Sequence, residues 1–267
     1  MPITLPGTQD LLLLIPLGLF IGVGAGVAGY SAWPLLVPLL FVVRGEAIDQ
    51  AILASMLVDV GTAATLCALY QRSGNVDLRV ASRLAPLAAA AAIPGCVFSL
   101  LYLDQLGGLL KSVSGVITVV IGALFVRRGL AAGSLPQPAR GAGSEHLLHA
   151  GVGGVGLLMG LIGMGGGFSI AALLVFVRGT AAARSVGTAL FVTALVLSVV
   201  SLAYLFSLHF RVSAGGVIVP VLAASMVGAL LGATYAQRIG ERRLNLSIGV
   251  VVIIAGTAAT IQMLGLR

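Results

Sequence analysis

The sequence predicts an all-α integral membrane protein of about ten transmembrane segments, arranged as two inverted five-segment repeats with glycine-broken helices. Three observations predict it. The chain is apolar almost throughout, its segments fall into two matching sets, and the second segment of each set is short and follows a run of glycines.

Composition excludes most alternatives. Of 267 residues, 59% are hydrophobic and 9% are charged, where soluble domains carry about 25% charged residues. Mean hydropathy is +1.13. No soluble core of this length hides so much apolar surface, and no stretch is left for a sizeable soluble domain. The opening MPITLPGTQDLLLLIPLGLF has no Lys or Arg before its apolar run. A signal peptide normally begins with positive charge, so the first segment is expected to be retained. Cys67 and Cys96 both lie in apolar segments and read as small packing residues. The net charge of +7 reads as membrane topology, not as a nucleic-acid surface.

Taken in order, apolar segments fall at 11–28, 32–43, 50–70, 84–103 and 109–126, then at 147–163, 168–177, 185–208, 213–233 and 246–264. A full helical span needs about 20 residues. AWPLLVPLLFVV and FSIAALLVFV are too short to span comfortably alone. Between the sets, RRGLAAGSLPQPARGAGSEH is rich in Gly, Pro and Ser, the composition of a loop. The expected domains are a first repeat at 1–129, a cytoplasmic linker at 130–146 and a second repeat at 147–267.

Charge decides whether the short segments cross. If every segment crosses, Arg72, Arg79, Arg83, Arg127, Arg128, Arg140, Arg178, Arg184, Arg238, Arg242 and Arg243 share one side, and Arg44, Lys111, Arg211 and Arg267 share the other. Re-entrant short segments would nearly equalise the two sides. Lys and Arg favour the cytoplasm, so the crossing scheme is preferred, with both termini periplasmic in a bacterial inner membrane.

The two sets match as copies. An offset of 134 carries Arg44 and Gly45 onto Arg178 and Gly179, Tyr70 onto Tyr204, and Pro86 onto Pro220. An offset of 138 carries GYS at 29–31 onto GFS at 167–169, so a four-residue gap is expected in the short segment. Five crossings per copy turn the second copy upside down. Inverted repeats with corresponding glycine-broken helices are a pointer to a transporter's binding site, because broken backbone at membrane depth is tolerated only where it is covered or lines a cavity. The breaks are GVGAGVAGYS at 22–31 and GLIGMGGGFS at 160–169. Half-helices starting near Ser31 and Ser169 would aim free amides at the break and favour an anion. The competing reading is glycine-mediated helix packing.

The expected substrate-binding residues are Gly29, Tyr30, Ser31, Trp33, Ser55, Gly165, Gly166, Gly167, Phe168, Ser169 and Thr188. Ser55 and Thr188 enter as small hydroxyl residues at matching depths, although such hydroxyls also bond the preceding helical turn. Asp59 lies near mid-span, and its repeat partner is Thr193. Intramembrane carboxylates are costly and functional by default, so Asp59 is the candidate for proton coupling; the alternative is a hydrogen-bonded structural carboxylate. His146 and His149 have no third ligand near them, and no metal or cofactor is expected. No GxxxxGK[ST] loop and no nucleophile–base set occurs, which argues against ATP drive and against an enzyme.

GLIGMGGGFSIAALLVF followed by ARSVGTALF, with the counterparts GVGAGVAGYSAWPLLVPLLF and AILASMLVD in the first half, resembles the TauE/SafE sulfite-exporter family of membrane permeases. The resemblance spans essentially the whole chain; the first half has GVAG where a glycine triplet is usual. It implies ion-gradient-driven export or import of a small sulfur-containing or organic anion, such as sulfite, thiosulfate or a sulfonate. The partners expected are that anion, H+ as coupling ion, the lipid bilayer and a second copy in a homodimer, and no nucleic acid. A passive anion channel is the alternative, separated by whether uptake follows an imposed pH gradient.

Overall fold

The computed structural model describes residues 8–131, 142–207 and 215–264. The described residues form helices: α1 (Thr8–Ala28), α2 (Trp33–Pro38), α3 (Ile48–Arg72), α4 (Leu78–Leu130), α5 (Ala142–Ile162), α6 (Gly167–Phe176), α7 (Ala182–Ser207), α8 (Gly215–Arg238) and α9 (Glu241–Leu264). α2 runs on into a π-helical turn, Leu39–Val43. Among the described residues six segments are long and apolar enough to cross a membrane: Leu11–Ala28, Ile48–Arg72, Leu78–Tyr102, Glu145–Ile162, Ala182–Ser207 and Gly216–Arg238. Both termini lie outside the described residues, as do Arg140, Arg211 and Arg267.

Element boundaries repeat at one offset. Adding 134 carries the start and end of α1 onto those of α5, and the starts of α2 and α3 onto those of α6 and α7. The left-handed glycines Gly29 and Gly45 fall on Gly163 and Gly179 in the same way. The four-residue gap expected from matching GYS with GFS is therefore not needed. The counterpart of Gly29 is Gly163, the residue whose φ of +67° ends α5 as Gly29's φ of +70° ends α1.

α4 is continuous where two segments were expected. As a straight rod, 53 residues would measure about 80 Å. Its first turns instead line one pocket with Arg178, and Arg128 in its last turn donates to Val175 O at the end of α6 (2.9 Å). Both ends of α4 thus lie at one end of the molecule, and its two halves run in opposite directions. The first half packs on α5, with Gly156 against Ala88 and Gly160 against Ala92. The second half packs on α9, with Gly122 against Gly249 and Gly129 against Leu246.

Small residues set these close approaches. Gly22 and Gly26 on α1 lie against Ser225 and Ala229 of α8. A Cβ on Gly22 would fall 2.0 Å from Ser225 O, and one on Gly160 would fall 2.0 Å from Ala92 O. With lipid outside, apolar burial drives helix association weakly, and close backbone contact takes over. These glycines are packing residues, so the packing reading holds for this part of both glycine runs.

The end where α3, α4, α6 and α8 finish is rich in arginine. Arg128 lies over the Phe176 ring (5.7 Å) and faces Glu241 (3.6 Å). Arg242 donates to Gly129 O (3.2 Å), the carbonyl end of α4. Cations suit these sites because helix C-termini carry unpaired carbonyls and partial negative charge.

Candidate functional site

The two breaks meet. α1 stops at Gly29, whose amide donates to Ala25 O (2.8 Å), and α5 stops at Gly163, whose amide donates to Met159 O (2.9 Å). Beyond them the chain is irregular until α2 and α6 begin. A Cβ on Gly167 would fall 2.6 Å from Gly29 O and 3.4 Å from Thr193 Oγ1. Only glycine at 167 lets the two strands of broken backbone touch.

Asp59 sits against this contact. It is the twelfth residue of the 25-residue α3, about 17 Å along the helix from its start. Ser31 donates its hydroxyl to Asp59 Oδ2, and the Ala32 amide donates to Oδ1 (2.7 Å). The Ser31 oxygen accepts from the amides of Trp33 (3.2 Å) and Gly165 (3.0 Å). Ser31 and Asp59 thereby tie both breaks to the middle of α3. The exposed amides of the breaks are held by protein groups, which satisfies the demand for partners at membrane depth.

A cavity of about 10 Å³ lies beside them, lined by Gly29, Tyr30, Ser31, Asp59, Thr62 and Gly165 together with Thr193 and Leu190 of α7. That is room for about one water molecule. The Tyr30 hydroxyl and Thr193 Oγ1 are buried without a hydrogen-bond partner among the described residues. Such orphans are few in native structures and call for an explanation; here both belong to residues facing the same small space.

The expected site residues divide into three groups. Gly29, Tyr30, Ser31, Gly165 and Asp59 line the cavity. Gly167 and Phe168 close one wall: Gly167 lies on Gly29, and the Phe168 ring is 6.3 Å from that of Tyr30. The others are placed elsewhere. Gly166 packs toward Val155 and Met159 of α5. Ser169 is the third residue of α6, which starts at Gly167, and Trp33 is a buried residue in the first turn of α2. Ser55 bonds Ile52 O (2.8 Å) in its own helix. Thr188 donates to Arg184 O (2.7 Å) and accepts from the Asp77 amide (3.0 Å) at the arginine-rich end. Sequence reasoning passed over Thr62 and Thr193. The signal for Thr193 was present, since it is the repeat partner of the mid-membrane Asp59.

The sequence profile described as Sulfite exporter TauE/SafE matches residues 14–259. The chain belongs to the TauE/SafE sulfite exporter family. No curated protein matches it. The TauE/SafE match covers both breaks, Asp59 and Thr193, so the cavity lies within the part of the chain that defines membership. This is a multi-pass membrane protein of the TauE/SafE family, and its polar centre is built from two glycine-ended helices, one carboxylate and the four hydroxyl-bearing side chains of Tyr30, Ser31, Thr62 and Thr193.

Proposed function

We propose that this protein is a secondary transporter of a small sulfur-containing anion, such as sulfite, thiosulfate or a sulfonate, working by alternating access between two inverted repeats of five crossings each. The observation that carries the reading is the mid-membrane cavity where both breaks converge, with amide and hydroxyl donors around it and two hydroxyls unpartnered.

Helix directions support the inversion. α5 runs alongside the first half of α4, away from the arginine-rich end, as the pairs 88 with 156 and 92 with 160 require. α1 runs alongside α8, as the pairs 22 with 225 and 26 with 229 require, and α8 finishes at the arginine-rich end. α1 and α5 therefore approach the cavity from opposite ends. The reversal of α4 supports counting its halves as two crossings, which brings the total to ten. Arginine at one end supports a cytoplasmic assignment for it. There Arg79, Arg83 and Arg178 line a pocket of about 210 Å³ together with Asp77 and Glu145, with Arg178 facing Glu145 (4.0 Å).

The cavity is too small for a sulfur oxyanion, so entry requires the two repeats to move apart, first toward one side and then toward the other. Asp59 is assigned the coupling proton. The test is uptake of labelled thiosulfate, sulfite and methanesulfonate into proteoliposomes under an imposed pH gradient. Accumulation that follows the gradient supports a coupled carrier. Flux that only equilibrates and ignores the gradient identifies a passive channel, and no flux of any anion overturns the reading.

A further inference from the structure

In the arrangement seen here the place for an anion is taken. The Asp59 carboxylate accepts from the Ser31 hydroxyl and the Ala32 amide (2.7 Å), and the Gly165 amide donates to the same Ser31 oxygen (3.0 Å). These are the donors that the broken helices offer to a ligand. We propose that Asp59 is a built-in occupant of the anion cradle, and that a substrate anion binds by displacing its carboxylate, with one proton taken up on Asp59 for each anion bound. This rests on the anion-transporter reading above and adds the means by which anion and proton are linked.

Charge and space require the exchange. The lining contributed by each element is neutral apart from Asp59: Ala25 from α1, Tyr30 from the first break, Gly165 from the second, Thr62 and Ala63 from α3, and Leu190 and Thr193 from α7. Tyr30 is the one other titratable group among them. Amides and hydroxyls without a cation stabilise one buried negative charge, not two in contact. Once protonated, Asp59 no longer competes for the Ser31 hydroxyl and the Ala32 amide. An incoming oxyanion takes those donors and adds the hydroxyls of Tyr30 and Thr193, which are unpartnered here. The resting carboxylate therefore keeps the broken backbone satisfied between transport events, and the proton releases it.

The experiment is a titration of the purified full-length protein with thiosulfate, sulfate and methanesulfonate. These anions keep a constant charge between about pH 5 and about pH 8, so any pH dependence belongs to the protein. Thermal shift gives the apparent Kd, and a weakly buffered solution reports proton uptake. For the wild type, each unit fall in pH is expected to tighten binding about tenfold while Asp59 of the empty protein is ionised, with close to one proton taken up per anion. Asp59→Asn is expected to bind without pH dependence, and at about pH 8 at least tenfold more tightly than wild type. PH-independent binding by the wild type without proton uptake overturns the exchange and leaves the transporter reading standing. Weaker binding by Asp59→Asn at every pH does the same, by making the carboxylate a support and not a competitor. If that variant does not fold, the wild-type pH series and proton count decide alone. Failure of every anion to bind either protein overturns the transporter reading, and this inference with it.

Discussion

The break after α1 and the break after α5 share a backbone plan and differ in what they present to the cavity. Each begins at a left-handed glycine, Gly29 or Gly163, and each restarts a helix four residues later. The first break brings side chains: the Tyr30 hydroxyl, and a serine that holds Asp59 and the Gly165 amide at once. The second brings bare backbone, with Gly165 facing Ser31 and Gly167 resting on Gly29. One side supplies polar groups and the other supplies closeness. A symmetric fold can thus carry an asymmetric site, because duplication preserves the backbone route while each copy's side chains diverge. The tyrosines Tyr70 and Tyr204 diverge similarly. Tyr70 donates to Gly26 O (2.7 Å), whereas Tyr204 bonds Ser99 (2.8 Å).

The largest expected effect tests closeness. Gly167→Val forces side-chain atoms onto Gly29 O. Transport should fall by at least about a hundredfold, with a stability loss of about 1–3 kcal/mol, while the protein still inserts. Proteoliposome uptake and detergent thermal unfolding measure both, and normal uptake would remove the broken-helix contact from the mechanism.

A paired substitution tests the asymmetry directly. Ser31→Ala removes one oxygen that serves Asp59 and two amides. It should lower stability by about 1–2 kcal/mol and transport about tenfold. Ser169→Ala, its match in the GYS and GFS comparison, lies inside α6 and should change stability by less than about 0.5 kcal/mol. Equal effects would restore serine equivalence between the breaks.

Thr193→Val separates binding from support. Its hydroxyl has no hydrogen-bond partner among the described residues, so stability should stay within about 0.5 kcal/mol of wild type. Anion affinity measured by thermal shift should weaken several-fold, and unchanged affinity would take Thr193 out of the cradle. The smallest effect is expected at Ser55→Ala, which loses an intrahelical bond to Ile52 O. Uptake should match wild type, and a large defect would place Ser55 at the substrate.

Much of the architecture was legible in the chain. Hydropathy marked the helices, because membrane spans must be long and apolar. The glycine clusters marked the breaks, because few other residues end a helix in the left-handed region or let backbones touch. Asp59 stood out because a carboxylate is rare at that depth. The gap between repeats was misread, since GYS and GFS look alike while the fold aligns Gly29 with Gly163. The two expected segments at 84–103 and 109–126 fall in the two halves of α4, which run in opposite directions.

The sequence by itself determined membrane residence, the 134-residue repeat, the position of both breaks and the presence of one buried acid, because each follows from composition or local backbone preference. Only the tertiary structure decided which glycines pack helices and which open the site. It also decided that Ser55, Thr188 and Ser169 stand apart while Thr193 faces the cavity, and that Asp59 occupies the donors of the first break. Those are distances between residues 28, 134 and more positions apart in the chain, and close approach across that separation is fixed by how helices pack, not by any local pattern.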